Sequence, residues 1–271
     1  MQIIKILSLI TLLYILIIII AYSMQTNFIF YPKKLHLKYK FDDTYKKEEF
    51  FITTNDGEKI NALFFPNNSN KVILYFHGNA GSLDSWQYIY DSFKSLEYNF
   101  FIFDYRGYGK STGKISEKGL YLDGQAAFNF LLKKGFKKDE IIIYGRSIGT
   151  GIAVEIADKN KINSLILETP FTNLKKLANE KAPYLLPRIS LKYTFDNIGK
   201  INNINIPFLI IHGKKDNLIP FKHGEQIYNE YKGKKQFLII EEGEHNNLDA
   251  FPEFTQGISL FLNQVNNSET D

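Results

Sequence analysis

Three side chains in this sequence have the types and the order needed for acyl transfer: Ser147, Asp216 and His245. A serine hydroxyl is a poor nucleophile until a base accepts its proton, and an imidazole does this at neutral pH. A carboxylate then fixes the histidine tautomer and stabilises the imidazolium that forms. Ser147 sits in Gly145-Arg146-Ser147-Ile148-Gly149, a Gly-x-Ser-x-Gly pattern. Such a pentapeptide also arises by chance in a glycine-bearing turn, so its flanks decide the matter. Ile141-Ile142-Ile143-Tyr144 before it reads as a buried parallel strand, and Ile152–Ala157 after it has helical spacing. Strand, sharp turn and helix are what a nucleophile elbow requires. A Cβ at Gly145 or Gly149 would collide with the neighbouring strand or helix.

The rest of the chain alternates in the same way. Phe50–Thr54 and Ile60–Phe65 flank Asn55-Asp56-Gly57 and read as a β-hairpin. Strands follow at Val72–Phe76, Phe100–Phe103, Ile141–Tyr144, Ser164–Leu167, Pro207–Ile211 and Phe237–Ile240. Helices are expected at Ser82–Leu96, Glu117–Lys134, Ile148–Lys159, Lys222–Tyr231 and Pro252–Val265, with a mixed segment after Leu167. A hairpin followed by six β/α units predicts an α/β fold with a mostly parallel eight-stranded sheet and helices on both faces.

In such a sheet, functional groups collect at the carboxyl ends of the strands. Asp216 follows the penultimate strand in His212-Gly213-Lys214-Lys215-Asp216, and His245 follows the last in Glu241-Glu242-Gly243-Glu244-His245. Ser…Asp…His is the chain order used on open α/β sheets. Taken alone, Asp216 would be a solvated turn residue and His245 a surface histidine; His36 and His223 are read as surface histidines. The strand Val72–Phe76 ends in His77-Gly78-Asn79-Ala80-Gly81. The N–H of Asn79 in that loop and the N–H of Ile148 after the serine are the expected oxyanion donors. His77 is read as a buried packing residue. The Asp104–Ser111 loop is read as architectural, with Gly107 and Gly109 in a tight turn and Asp104 paired with Arg106. Asp104 is the alternative acid.

Composition narrows the classes. The chain has 271 residues, 44% of them hydrophobic, which suits one large domain with a single core. Its 33 basic and 29 acidic residues are interleaved, which argues against a nucleic-acid partner. With no cysteine there is no disulfide, thiolate metal site or cysteine nucleophile. No charged residue occurs from Ile6 to Tyr31, and Ile6–Tyr22 is nearly continuous Leu/Ile. That run exceeds a usual signal-peptide core of about 7–15 residues and favours an uncleaved anchor over residues 1–25. The small residues of Ala21-Tyr22-Ser23 also fit a cleaved signal peptide. Lys33, Lys34, Lys38 and Lys40 outnumber Lys5 and favour a cytoplasmic domain, unless they belong to the fold.

His77-Gly78-Asn79-Ala80-Gly81, Asp104-Tyr105-Arg106-Gly107-Tyr108-Gly109-Lys110-Ser111, Gly145–Gly151 and Glu168-Thr169-Pro170-Phe171-Thr172 together resemble the α/β-hydrolase superfamily. More narrowly, they resemble membrane-anchored abhydrolase-domain serine hydrolases, over roughly residues 27–265. The resemblance implies Ser147 as nucleophile, Asp216 as acid and His245 as base. Some relatives are acyl-thioesterases acting on fatty acylated proteins; the cysteine-rich N-terminal segment of some of these is absent here.

These readings combine into a membrane-anchored serine hydrolase of residues 26–271, cleaving esters or thioesters of a small-molecule or lipid-like acyl substrate. No metal or organic cofactor enters that scheme. Dehalogenase and epoxide-hydrolase chemistry would place a carboxylate at the elbow, where this chain has Ser147. A serine peptidase and a silent membrane-tethered binding protein are the alternatives. Residues 169–205 occupy the lid position, where Phe171, Tyr184, Leu185, Leu186, Tyr193 and Phe195 suit either an acyl pocket wall or a helical core stripe.

Overall fold

The computed structural model describes residues 1–267. It opens on α1 (Gln2–Ile29), followed by β1 (Tyr31–Pro32), the hairpin strands β2 (Glu48–Thr53) and β3 (Lys59–Phe65), and β4 (Val72–Phe76). Next come β5 (Ala80–Gly81), α2 (Leu83–Trp86), β6 (Asn99–Phe103), α3 (Glu117–Lys133), β7 (Ile141–Arg146) and α4 (Gly149–Lys159). β8 (Ser164–Glu168) leads into residues 169–205, the segment expected as a lid, which contains α5 (Leu174–Lys181), α6 (Pro187–Ser190) and α7 (Asn197–Lys200). The chain closes on β9 (Phe208–Gly213), α8 (Lys222–Glu230), β10 (Lys235–Ile240) and α9 (Pro252–Asn267).

The main sheet has eight strands in the order β10-β9-β8-β7-β4-β6-β3-β2. β2 and β3 run antiparallel to their neighbours, and all other pairings are parallel. Strand side chains alternate between two layers. Val72, Leu74 and Phe76 join α3, α4 and α8 on one face, while Ile73 and Tyr75 join α2 and α9 on the other. Both faces of the central strands are therefore dry, which is why these strands are continuous apolar runs. The chain leaves β4 for β6 on one side and later crosses to β7 on the other. β4 is thus the switch point, where the carboxyl ends open a crevice.

The elbow lies at that crevice. A Cβ on Gly145 would stand 2.6 Å from the Cβ of Ala153 in α4, and one on Gly149 would run into the backbone carbonyl of Phe76 in β4. Both collisions are with the elements expected from sequence. Ser147 between them has φ of +54°, a left-handed conformation that costs a non-glycine residue about 1–3 kcal/mol.

Several local expectations change on folding. Ser82–Leu96 is not one helix: α2 ends at Trp86, and 3-10 turns cover Gln87–Ser92 and Lys94–Leu96. Trp86, Tyr88, Ile89, Tyr90 and Phe93 are weak helix formers, and tertiary packing of Ile89 and Phe93 sets the path instead. Arg106 does not pair with Asp104. Its guanidinium spans Asp56 at 2.9 Å and Asp123 at 2.9 Å, while Asp104 accepts the Leu83 N–H at the start of α2. Nor is His223 at the surface. It is fully buried because Lys222–Glu230 turns that face to the core, where its Nδ1 lies 3.0 Å from Thr172 Oγ1 and its Nε2 3.3 Å from Glu180. His36 is exposed, as expected.

α1 is the one helix among the described residues long and apolar enough to cross a membrane, and it continues seven residues past Tyr22. Its last turns join the domain. Gln25 is buried and accepts the Lys192 N–H at 2.6 Å, and Thr26 bonds the Tyr193 hydroxyl at 2.7 Å. Two of the lysines that follow also belong to the fold, since Lys33 pairs with Asp84 and Lys34 donates to the Ser111 carbonyl.

Two outcomes test this packing. Gly149→Ala should destabilise the protein by about 1–3 kcal/mol in urea melts, although alanine is the better helix former by about 1 kcal/mol. His77 is fully buried against Trp86 and Tyr105, and burial lowers its pKa from 6.5 to about 4. Between those values the unfolded chain takes up a proton that the folded one does not, so stability falls as pH drops from 6.5 towards 4. His77→Gln should shrink the stability difference between pH 7 and pH 4.5 by about 2 kcal/mol, read from urea melts at both pH values.

Candidate active site

Asp216 and His245 are carried on the loops that follow β9 and β10, and these converge on the elbow after β7. His245 Nε2 lies 3.0 Å from Ser147 Oγ, and its Nδ1 lies 2.8 Å from Asp216 Oδ2. All three residues are less than a tenth exposed. The other carboxylate oxygen of Asp216 accepts the backbone N–H groups of Leu218 at 2.9 Å and Ile219 at 2.7 Å. Burial pushes the Asp216 pKa up, but hydrogen bonds from His212 and His245 and the His245 charge outweigh it. The net result holds this carboxyl well below the usual range. Asp216 is therefore ionised wherever His245 needs a partner.

Asp104 stands apart, with its carboxylate on Leu83 N and 3.6 Å from the ring of His77. It is fully buried, and burial raises its pKa well above the ordinary value. The structure brings Asp216, and not Asp104, to His245.

Asn79 and Ile148 both line a cavity of 140 Å³ that contains Ser147. The Asn79 carbonyl accepts from Tyr31 N at 2.9 Å and from the Tyr108 hydroxyl at 2.7 Å. Its side-chain amide donates to the Ile29 carbonyl at 2.8 Å. These bonds hold the Asn79 backbone in place, and its N–H has no acceptor among the described residues. Ile148 caps α4, where first-turn N–H groups have no intrahelical partner. The remaining walls are apolar and include Phe171, Leu174, Leu177 and Ile219.

Of the lid aromatics, Phe171 lines this cavity, Tyr193 and Phe195 are core residues, and Tyr184 is exposed. The segment therefore contributes both to a cavity wall and to the core. Other contributors carry no local sequence signal. Phe28 and Ile29, at the end of α1, are part of the cavity wall. Arg146 pairs with the buried Glu168 at 3.2 Å and reaches Asn246 beside His245, joining the elbow to the histidine loop. His212 lies 3.4 Å from Asp216 on the same side as its partners; its place four residues before the acid, at a strand end, was the available hint.

A serine, a histidine and a carboxylate in one hydrogen-bonded chain beside an apolar cavity form an arrangement capable of acyl transfer. Comparisons with known proteins agree with this architecture. A family model described as alpha/beta hydrolase fold matches residues 71–193. Human alpha/beta hydrolase domain-containing protein 17B is 33% identical over 243 residues, covering 85% of this chain and 82% of its own. The uncharacterized protein YfhR of Escherichia coli K12 is 32% identical over 239 residues, covering 83% and 81%. Among solved structures, the Pyrococcus furiosus esterase Pf2001 superposes with a TM-score of 0.72 at 20% identity, covering 87% of this chain and 97% of its own. Acetyl xylan esterase 1 from Thermoanaerobacterium gives 0.64 at 18% identity, covering 90% and 93%. With a full-length level of identity to such relatives and the fold to match, this chain belongs to the alpha/beta hydrolase family.

Proposed function

We propose that this protein is a serine hydrolase that cleaves carboxylic ester or thioester bonds through an acyl-enzyme, and that α1 anchors it in a membrane. The observation that carries the reading is the hydrogen-bonded chain Ser147–His245–Asp216 opening onto an apolar cavity. In the acylation step His245 Nε2 takes the Ser147 proton as Oγ bonds to the acyl carbon. The carbonyl oxygen becomes an oxyanion between the N–H groups of Asn79 and Ile148. Collapse of that intermediate breaks the acyl–oxygen or acyl–sulfur bond, and His245 returns its proton to the leaving group. Water, deprotonated by the same imidazole, then releases the acid and regenerates Ser147. Asp216 stays ionised throughout and steadies the imidazolium. The apolar walls favour an acyl group over a polar one, consistent with the esterases among the structural neighbours.

Anchoring is supported by the exposure of α1, whose residues 6–20, apolar apart from Ser8 and Thr11, are almost wholly uncovered by protein. Residues 26–271 form the hydrolase domain in this reading, with the last turn of α1 included in it.

Ser147→Ala should abolish labelling by a fluorophosphonate and lower kcat by ~10⁴–10⁶. Asp216→Asn should leave the fold intact and lower kcat by about 10⁴, whereas Asp104→Asn should act on stability. Steady-state kinetics and urea melts on the three variants check these roles; a large kinetic loss at Asp104 alone would reverse them.

The intact chain should remain with membranes after carbonate washing and need detergent for release. A chain begun at Thr26 should be soluble and retain short-ester activity. One begun at Lys33 loses the Ile29 and Tyr31 bonds to Asn79 and should lose activity by about ten- to a hundredfold, towards the cost of a lost oxyanion donor. A mature N-terminus at Met24, found by N-terminal sequencing, would show a cleaved signal peptide and end the anchor reading.

A further inference from the structure

Beside the catalytic cavity lies a second one, of 280 Å³, between the last turns of α1 and the lid. Phe28 and Ile29 line both cavities. One face of α5 lines both as well: Leu174 and Leu177 border the chamber of Ser147, and Ala178 and Lys181 border the second. Residues 174, 177, 178 and 181 share a helical face, so the second cavity prolongs the first along α5. Its opposite wall is Ala21 and Tyr22 of α1.

The lid tip beyond this groove follows α1 towards its N-terminus. The Tyr14 hydroxyl donates to the Tyr184 carbonyl at 2.7 Å, and Tyr14 stands about 16 Å up the helix from Gln25 at 1.5 Å per residue. Tyr184, Leu186 and Ile189 are exposed there, Ile189 by 80%. An apolar tip in water would be a liability, and most of its carbonyls are paired within the chain. Every carbonyl from residue 182 to residue 187 accepts a hydrogen bond within the chain: Leu185, Leu186 and Leu191 donate to 182, 183 and 187. Tyr14 serves 184, the Ser190 hydroxyl serves 185, and Ile189 and Ser190 serve 186. Pro183 and Pro187 have no N–H to satisfy. Internal pairing of these six carbonyls lowers the cost of placing that part of the tip in hydrocarbon. The exposed Arg188 is long enough to reach the headgroups.

We propose that the lid tip, residues 183–190, is immersed in the bilayer beside α1, and that the groove between them delivers the acyl chain of a bilayer-resident substrate to Ser147. The inference rests on the serine-hydrolase reading above and names its substrate class, a long acyl chain attached at the lipid–water interface. The membrane helix is then also a wall of the substrate site. Phe28 and Ile29 select for chains that reach past the catalytic chamber, and Ala21 and Ala178 leave room for the remainder.

The test uses the full chain in phosphatidylcholine vesicles, with p-nitrophenyl acetate and p-nitrophenyl palmitate as substrates. Ala21→Trp and Ala178→Trp fill the groove from its two sides, and Ala21 lies outside the hydrolase core. Each should lower kcat/KM for the palmitate at least about tenfold, the worth of two buried methylenes, and leave the acetate within about twofold. An equal loss on both esters, or no loss on either, in both variants overturns the groove. Failure of the wild type to label with fluorophosphonate or to cleave either ester would instead overturn the parent reading. A second measurement does not depend on activity. Since the chain has no cysteine, Ile189→Cys carries a single bimane label, with Lys137→Cys, before the amino end of β7, as the aqueous control. Brominated lipid should quench the label at position 189 several times more strongly than at 137, and equal quenching overturns the immersion. Cleavage of monopalmitoylglycerol or of an acylated peptide in the same vesicles identifies the source of the chain, and cleavage of neither overturns the delivery role.

Discussion

The constraint on which this molecule depends is the absence of side chains where β4, β7 and α4 meet. Gly145 and Gly149 let the chain reverse from strand to helix in contact with Ala153 and with the Phe76 carbonyl. That approach lifts Ser147 out of the sheet in a left-handed conformation. The strain is sustained because β7 and α4 are locked on both faces by core residues that are fully buried. It also places the Ile148 N–H at the start of α4, next to Ser147. The positions of Ser147 and of the Ile148 N–H thus follow from one close contact.

Around this point the buried charges are arranged in opposed or bonded pairs. Asp216 is held by two backbone donors and two imidazoles, so it keeps its charge despite burial. Glu168 is also buried, which raises its pKa, and the Arg146 guanidinium and Tyr144 hydroxyl oppose that rise. Arg146 also donates to Asn246 at 3.4 Å, which links the elbow to the histidine loop. Asp104 lacks such a cation and accepts a backbone N–H in a dry pocket, a structural duty. Two carboxylates at strand ends thus have their pKa values moved in opposite directions by what surrounds them.

The N-terminal helix is coupled to the same centre. Its last carbonyl, on Ile29, takes the Asn79 side-chain amide, and Tyr31 N bonds the Asn79 carbonyl as β1 pairs with β5. Phe30 packs edge-on against Tyr193 at 5.0 Å and ties the helix to the lid as well. The apolar helix, the loop with the expected oxyanion donor and the lid therefore share one seam.

Much of this was legible in the sequence because it depends on local rules. Apolar runs of period two or none named the strands, and Gly-x-Ser-x-Gly between a strand and a helix named the elbow. The order Ser147, Asp216, His245 after the ends of β7, β9 and β10 named the groups that the fold brings within hydrogen-bond distance. What sequence could not supply were partners chosen across long separations. Arg106 prefers Asp56 and Asp123 to the nearby Asp104, and His223 is buried by contacts with Thr172 and Glu180. Residues 82–96 follow the packing of their aromatics rather than helical propensity. The end of α1 reads as more of the same apolar helix, and only docking against Asn79, Lys192 and Tyr193 makes it a wall of the site. Local propensity and spacing are properties of neighbouring residues, whereas burial and charge pairing depend on which distant surfaces the fold brings together.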